Sequence, residues 1–148
     1  MGRNPRGPMD HLKQLVEFVT SRPGFPGAIG TEVLLVEKGR VHLRVARRPD
    51  LLQFNGFFHG GVIAGLADHA AGGAASTVMP PGKVAVTVEL KINFLTPADG
   101  AWILARAEVL QAGGTLSVVT VDVVTEANGT ERRCAFGTAT MRAVEMKA

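Results

Sequence analysis

Tyrosine is absent from this 148-residue chain, and cysteine and tryptophan occur once each. A lone Cys134 excludes an intrachain disulfide and fits a reducing compartment, so a cytoplasmic location is expected. It sits in an apolar alternating run and reads as a small buried side chain, not a nucleophile. The basic first residues lead into no signal-like apolar stretch. The longest weakly polar region is broken by Asp68 and His69 and ended by Pro80-Pro81, so no membrane span is expected. Charge of one sign is scarce, with a net charge of +3. Arg3, Arg6, Arg44, Arg47, Arg48, Arg132 and Arg133 are scattered and not interleaved with aromatics, which argues against a nucleic-acid partner. A mild positive balance suits an anionic small molecule carrying phosphates. A phosphate-binding Gly-Lys-Ser/Thr loop, a dinucleotide fingerprint and a serine nucleophile elbow are all missing. The four histidines, His11, His42, His59 and His69, lack metal-ligand spacing, although His69 beside Asp68 resembles half a site; no metal is expected.

What is present describes one globular unit, 46% apolar and 20% charged, long enough to bury a core without staples. Residues 1–8 read as a flexible N-terminal tail and residues 9–148 as a single domain. Asp10 is placed to cap a helix whose apolar positions Leu12, Leu15, Val16 and Val19 recur at helical spacing and stop before Pro23. Residues 31–37 and 40–47 read as strands turned at Lys38-Gly39, and residues 50–58 as a loop. Residues 60–78 are helical in pattern and rich in alanine and glycine. Because glycine in a helix costs about 1 kcal/mol relative to alanine, its recurrence implies that something packs close against this backbone. An apolar surface nearly all round implies burial.

The remainder is β. Val84, Val86, Val88, Leu90, Ile92 and Phe94 alternate with Ala85, Thr87, Glu89, Lys91 and Asn93 at an unbroken period of two. Turns at residues 97–100, Gly113-Gly114 and Asn128-Gly129 then separate strands near 101–111, 115–126 and 130–142, which predicts a meander. The fold class is α+β, a curved antiparallel sheet wrapped around a long central helix.

Chemistry concentrates in residues 53–68, Gln53-Phe54-Asn55-Gly56-Phe57-Phe58-His59-Gly60-Gly61-Val62-Ile63-Ala64-Gly65-Leu66-Ala67-Asp68. Glycines at a helix start leave backbone N–H groups approachable, where the dipole favours negative charge. Gly60 N–H is the candidate oxyanion donor. His59 either binds a substrate carbonyl or orders the turn. A carboxylate on an apolar helix costs free energy unless it has partners or a task, and Asp68 is the candidate base or nucleophile. Thr87, His69 or a backbone donor are its candidate structural partners, and the Thr87 hydroxyl is placed to orient Asp68 or a water. Gly61 and Asp68 share a helix face but lie ~10 Å apart along the axis. A donor and a base that act on one carbonyl must each come within ~3 Å of their targets. If both act together, one comes from each subunit of a two-fold dimer with two composite sites.

With these residues in hand, the chain resembles hotdog-fold acyl-CoA thioesterases of the branch that includes PaaI. The resemblance spans about residues 25–142. It rests on His59-Gly60-Gly61, Leu66-Ala67-Asp68 and Val86-Thr87-Val88-Glu89-Leu90-Lys91-Ile92-Asn93-Phe94, with Pro97 and Gly100 after them. It implies Asp68 as catalytic carboxylate, Gly60 as oxyanion donor, His59 as a neighbour that helps hold the thioester carbonyl, and Thr87 as the supporting hydroxyl. It also implies a homodimer, commonly paired into a tetramer, with the active site at the dimer interface. Two positions depart from the family pattern. Gln53 stands where an asparagine is frequent, with Asn55 out of register, and Gly114 stands where relatives carry a basic residue.

The expected activity is hydrolysis of a medium-chain or aryl acyl-CoA to free acid and CoA, without metal or redox cofactor; coenzyme A is part of the substrate. Gly61, Asn55 and Phe58 are expected to contact substrate, and Lys91, Arg132 and Arg133 are candidates for the CoA phosphates. The alternative is a non-catalytic acyl or acyl-CoA binding protein on the same fold, favoured by Gln53 and Gly114 and disfavoured by Asp68, Gly60 and Thr87 together. A hydratase would need an acid–histidine pair that is not found.

Overall fold

The computed structural model describes residues 7–147. Of the expected tail, residues 1–6 lie outside the described residues. Gly7 is the N-cap of the first helix, α1 (Pro8–Ser21), and Pro8 opens it. Proline suits that position because its missing N–H has no intrahelical acceptor to lose and its φ is already helical. Asp10, expected as the cap, instead lies in the first turn, where a carboxylate favours the helix dipole. A four-residue helix not anticipated from the sequence, α2 (Phe25–Ala28), follows.

The chain then forms β1 (Glu32–Glu37), β2 (Arg40–Ala46), a 3-10 turn at Pro49–Leu51, and the central helix α3 (Gly60–Ser76). After it come β3 (Lys83–Phe94), β4 (Trp102–Ala112), β5 (Leu116–Ala127) and β6 (Thr130–Glu145). All neighbouring strands pair antiparallel, in the order β1-β2-β4-β5-β6-β3. The predicted four-strand meander is therefore corrected: β4, β5 and β6 form one, but β3 pairs with β6 at the far edge. Residues 97–101 carry the chain from that edge to the centre of the sheet. They are tied to its end by Phe58 N–H donating to Ala98 O (2.9 Å), Arg47 N–H to Ala101 O (2.9 Å) and Ala101 N–H to Glu126 O (3.0 Å). Gly100 is required there, since a Cβ would overlap the Glu126 backbone and come within 2.5 Å of Thr125 Oγ1.

Strand β3 departs from strict alternation. Thr87 pairs with Met141 and Glu89 with Thr140, so Val88 is an extra residue, a β-bulge. Ala85 packs against the core before the bulge, and Leu90 and Ile92 do so after it. Val86 and Val88 are left exposed.

The core lies between α3 and the concave face of the sheet. Leu66, Ala67, Ala70, Ala71 and Ala74 meet Val41, Leu43, Ile103, Val119, Val121 and Met141, all essentially without solvent contact. Small helix residues let the sheet close around α3, and a Cβ on Gly73 would stand 3.5 Å from Val41. Each large aliphatic residue buried in this way contributes about 1.5–3 kcal/mol. The small side chain of Cys134 is buried in the same core, its thiol pushed up to about 11 by burial.

Candidate active site

Residues 52–58 form a tight loop in front of α3. Gln53 N–H donates to Phe57 O (2.8 Å), Gly56 N–H donates to Gln53 O (3.0 Å), and Asn55 N–H donates to the Gln53 side-chain oxygen. The Arg47 guanidinium clamps Gly56 O from outside. Gln53 thus spends its amide oxygen on its own turn, and its NH2 has no protein partner among the described residues. Asn55 is exposed at the loop tip and lines neither of the cavities described below.

His59 is the N-cap of α3, with Nδ1 accepting from Gly61 N–H at 2.8 Å. An accepting Nδ1 puts the proton of the neutral ring on Nε2. The turn-ordering role of His59 is therefore present, and it consumes the Gly61 N–H, so Gly61 has no donor left for a substrate. Gly60 N–H differs: it has no acceptor among the described residues. It lines a cavity of about 380 Å³ with Gln53, Phe58, Ile63 and Phe94. The Phe94 ring lies 3.4 Å from where a Gly60 Cβ would stand.

Asp68 lies two turns further along, half-buried, with Oδ1 accepting from Thr87 Oγ1 at 2.6 Å. The bulge at Val88 keeps Thr87 on the helix side while Leu90 and Ile92 also face inward. Asp68 lines a separate cavity of about 190 Å³ with His69, Gly72, Ser76, Ala85 and Thr87. His69 is hydrogen-bonded through Nε2 to Thr20 Oγ1 of α1 (2.9 Å), so it is not the partner of Asp68. Burial lowers the His69 pKa below 6.5, partly opposed by the Asp68 charge. Among the described residues no three acidic, histidine or cysteine side chains cluster to hold a metal.

One chain thus brings Gln53, Phe58 and Gly60 together at one cavity and Asp68 and Thr87 at another, without joining the two sets. The candidate phosphate ligands are mostly committed elsewhere. Arg132 binds Asp99 (2.7 Å) and Pro97 O (2.8 Å), and Arg133 forks onto Asp122 at 2.5 and 2.8 Å, which raises its pKa. Lys91 meets only the amide oxygen of Asn93 (2.9 Å). Phe25 escaped the sequence reading, and Phe94 was read only as a strand residue. The signal for them was the glycines they cover, Gly65 and Gly60, whose recurrence did announce close packing.

Residues 55–131 match the Thioesterase superfamily family model, just over half of the chain. The chain belongs to the thioesterase superfamily. It is a thioester hydrolase with a hotdog fold. It is 35% identical to a thioesterase family protein from Silicibacter pomeroyi, with a TM-score of 0.88 over 91% of this chain and 99% of that one. PaaI of E. coli, from the phenylacetic acid degradation operon, shares the fold at a TM-score of 0.82 and 19% identity, over 93% of this chain and 96% of its own. The 1,4-dihydroxy-2-naphthoyl-CoA hydrolase of Listeria monocytogenes is 29% identical over 103 residues, 70% of this thioesterase and 84% of that protein. No helix among the described residues is long and apolar enough to cross a membrane.

Proposed function

We propose that this thioesterase hydrolyses a medium-chain or aryl acyl-CoA to free acid and CoA, at composite sites that pair Gly60 of one protomer with Asp68 of the other. The observation that carries the reading is the position of the two half-sites along β3. The Gly60 cavity lies at the Phe94 end of this strand and the Asp68 cavity at its Val84–Thr87 end. β3 is a 12-residue edge strand with Val86 and Val88 exposed, and such an edge invites pairing. Antiparallel pairing of β3 with its own copy about the strand midpoint sets each Phe94 end beside the partner's Lys83 end. Each oxyanion donor then faces the partner's carboxylate. The name of the Listeria relative supports a CoA thioester as substrate class.

In the reaction, Asp68 takes a proton from water as the water oxygen attacks the thioester carbonyl. The oxyanion that forms is held by Gly60 N–H, a donor of the kind whose loss typically costs ~2.7–4 kcal/mol of barrier. Collapse expels the CoA thiolate, which recovers a proton from Asp68. In a second route the carboxylate itself attacks, and the acyl–Asp68 anhydride is then hydrolysed. A single turnover in ¹⁸O-water tests the second route: label in Asp68 marks an anhydride opened at the Asp68 carbonyl, whereas label only in the product acid supports the base.

Asp68→Asn is expected to lower kcat by about 10²–10⁴-fold with the dimer intact. Near-normal turnover would remove Asp68 from the site. Gly60→Pro deletes the N–H at a helix position proline tolerates. Mixing the two inactive variants tests the composite arrangement. Each mixed dimer regenerates one native site, so about a quarter of wild-type activity should return after random exchange. No recovery, with exchange demonstrated, would place both groups in one chain. Release of thiol from acyl-CoA excludes the purely binding alternative.

A further inference from the structure

Beyond Asp68 toward the C-terminal end of α3, the helix face beside β3 carries only small residues, Gly72 and Ser76. Gly72 lies one turn on, and a Cβ placed there would meet nothing within 4 Å. Ser76 follows after another turn. Its hydroxyl donates to Gly72 O (2.8 Å) and accepts from Ala85 N–H (3.0 Å), so its polar capacity is consumed by backbone. Asp68, Gly72 and Ser76 therefore make one strip along a single helix face.

That strip is the floor of a groove walled by α1 and β3. The cavity that holds Asp68 reaches Val19 on one side and Val84 on the other. A second cavity, of about 580 Å³, begins at the same Ser76 and continues beneath Leu15, Phe18, Met79 and Met146. Ser76 lines both cavities, so the two meet on the face of α3 between α1 and β3. The α1 wall is held by the Thr20–His69 hydrogen bond of 2.9 Å and by Val16, 3.8 Å from a Cβ position on Gly73.

We propose that this groove is the acyl channel and that it selects medium-length straight-chain acyl groups over short ones, with Gly72 as the specificity-determining residue that keeps it open. The inference rests on Asp68 marking the thioester carbonyl. From Asp68 to Ser76 the helix advances about 12 Å, the reach of an extended acyl chain of roughly ten carbons. A longer tail enters the second cavity and covers Phe18 and Met146, which are 47% and 40% exposed. A four-carbon chain ends before Gly72, about 6 Å along the helix from Asp68, and leaves the apolar end of the channel unfilled.

The test compares decanoyl-CoA with butyryl-CoA in the full-length wild type, Gly72→Leu and Val19→Trp, both positions lining the Asp68 cavity. In both variants the ratio of kcat/KM for decanoyl over butyryl should fall about tenfold or more, mostly through KM. An unchanged ratio in both overturns the proposal. Calorimetry of the free acids gives a readout independent of turnover. Decanoate should bind the wild type more tightly than butyrate, and each variant should weaken decanoate alone. Equal affinity of the wild type for the two acids overturns the channel even if hydrolysis is seen. Preferential decanoate binding without thiol release would instead overturn the catalytic reading and leave the channel standing.

Discussion

Thr87 and Asp68 meet at 2.6 Å across the space between an edge strand and the central helix. A hydrogen bond to a charged group contributes about 1.5–3 kcal/mol, and the exposure of Thr87 in the single chain places this one at the lower end. In the proposed reaction Thr87 is a positioning residue that acts through Asp68. Thr87→Val is expected to lower kcat about tenfold with KM little changed, and Thr87→Ser to restore it. Equal effects of the two substitutions in steady-state kinetics would deny the hydroxyl this task. The pairing was legible in outline, because a carboxylate on an apolar helix needs a partner and Thr87 was among the candidates. The role of His59 was not. Both of its readings were compatible with the sequence, and only the direction of Nδ1 toward Gly61 N–H shows the ring ordering the turn.

Among the elements, β3 decides most. Its residues alternate so regularly that a bulge has no local signature: valine and threonine suit either face of a strand. The extra residue at Val88 arises from register with β6, and it lets Thr87 reach the helix side while Leu90 and Ile92 also pack inward. The same strand leaves Val86 and Val88 exposed along an unpaired edge. Val88→Lys is expected to keep the monomer folded, since the side chain is 58% exposed, but to prevent the proposed edge-to-edge pairing. Sedimentation should then show monomers, and activity should fall with the dimer. A fully active monomer would disconnect the edge from the site.

At the scale of the whole molecule, half-buried histidines set an acid limit on stability. His69 and His42 both have pKa values lowered from 6.5, chiefly by burial, with Arg106 and Arg40 adding to the effect at His42. The unfolded chain takes up these protons near pH 6.5 while the native state resists them, so the unfolded state binds more protons in that window. Stability is therefore fully present above 6.5 and declines as pH falls from 6.5 through the folded values. The urea midpoint should drop between about pH 7.5 and about pH 5.5, and His69→Gln should make that drop shallower. A steeper drop in the variant would show that His69 is not one of the responsible groups.

Local physics determined much of this protein before any fold was known. The 3.6-residue and two-residue periods, the Asn-Gly and Gly-Gly turns and the small-residue helix mark the elements, because each depends on neighbours a few positions apart. The His-Gly-Gly helix start and the single carboxylate of α3 mark the candidate site for the same reason. Strand order, the bulge, the partners of Asp68 and His69, and the groove between α1 and β3 were decided only in three dimensions. Each depends on which surfaces meet across distant parts of the chain, and a residue's local pattern carries no record of what lies opposite it.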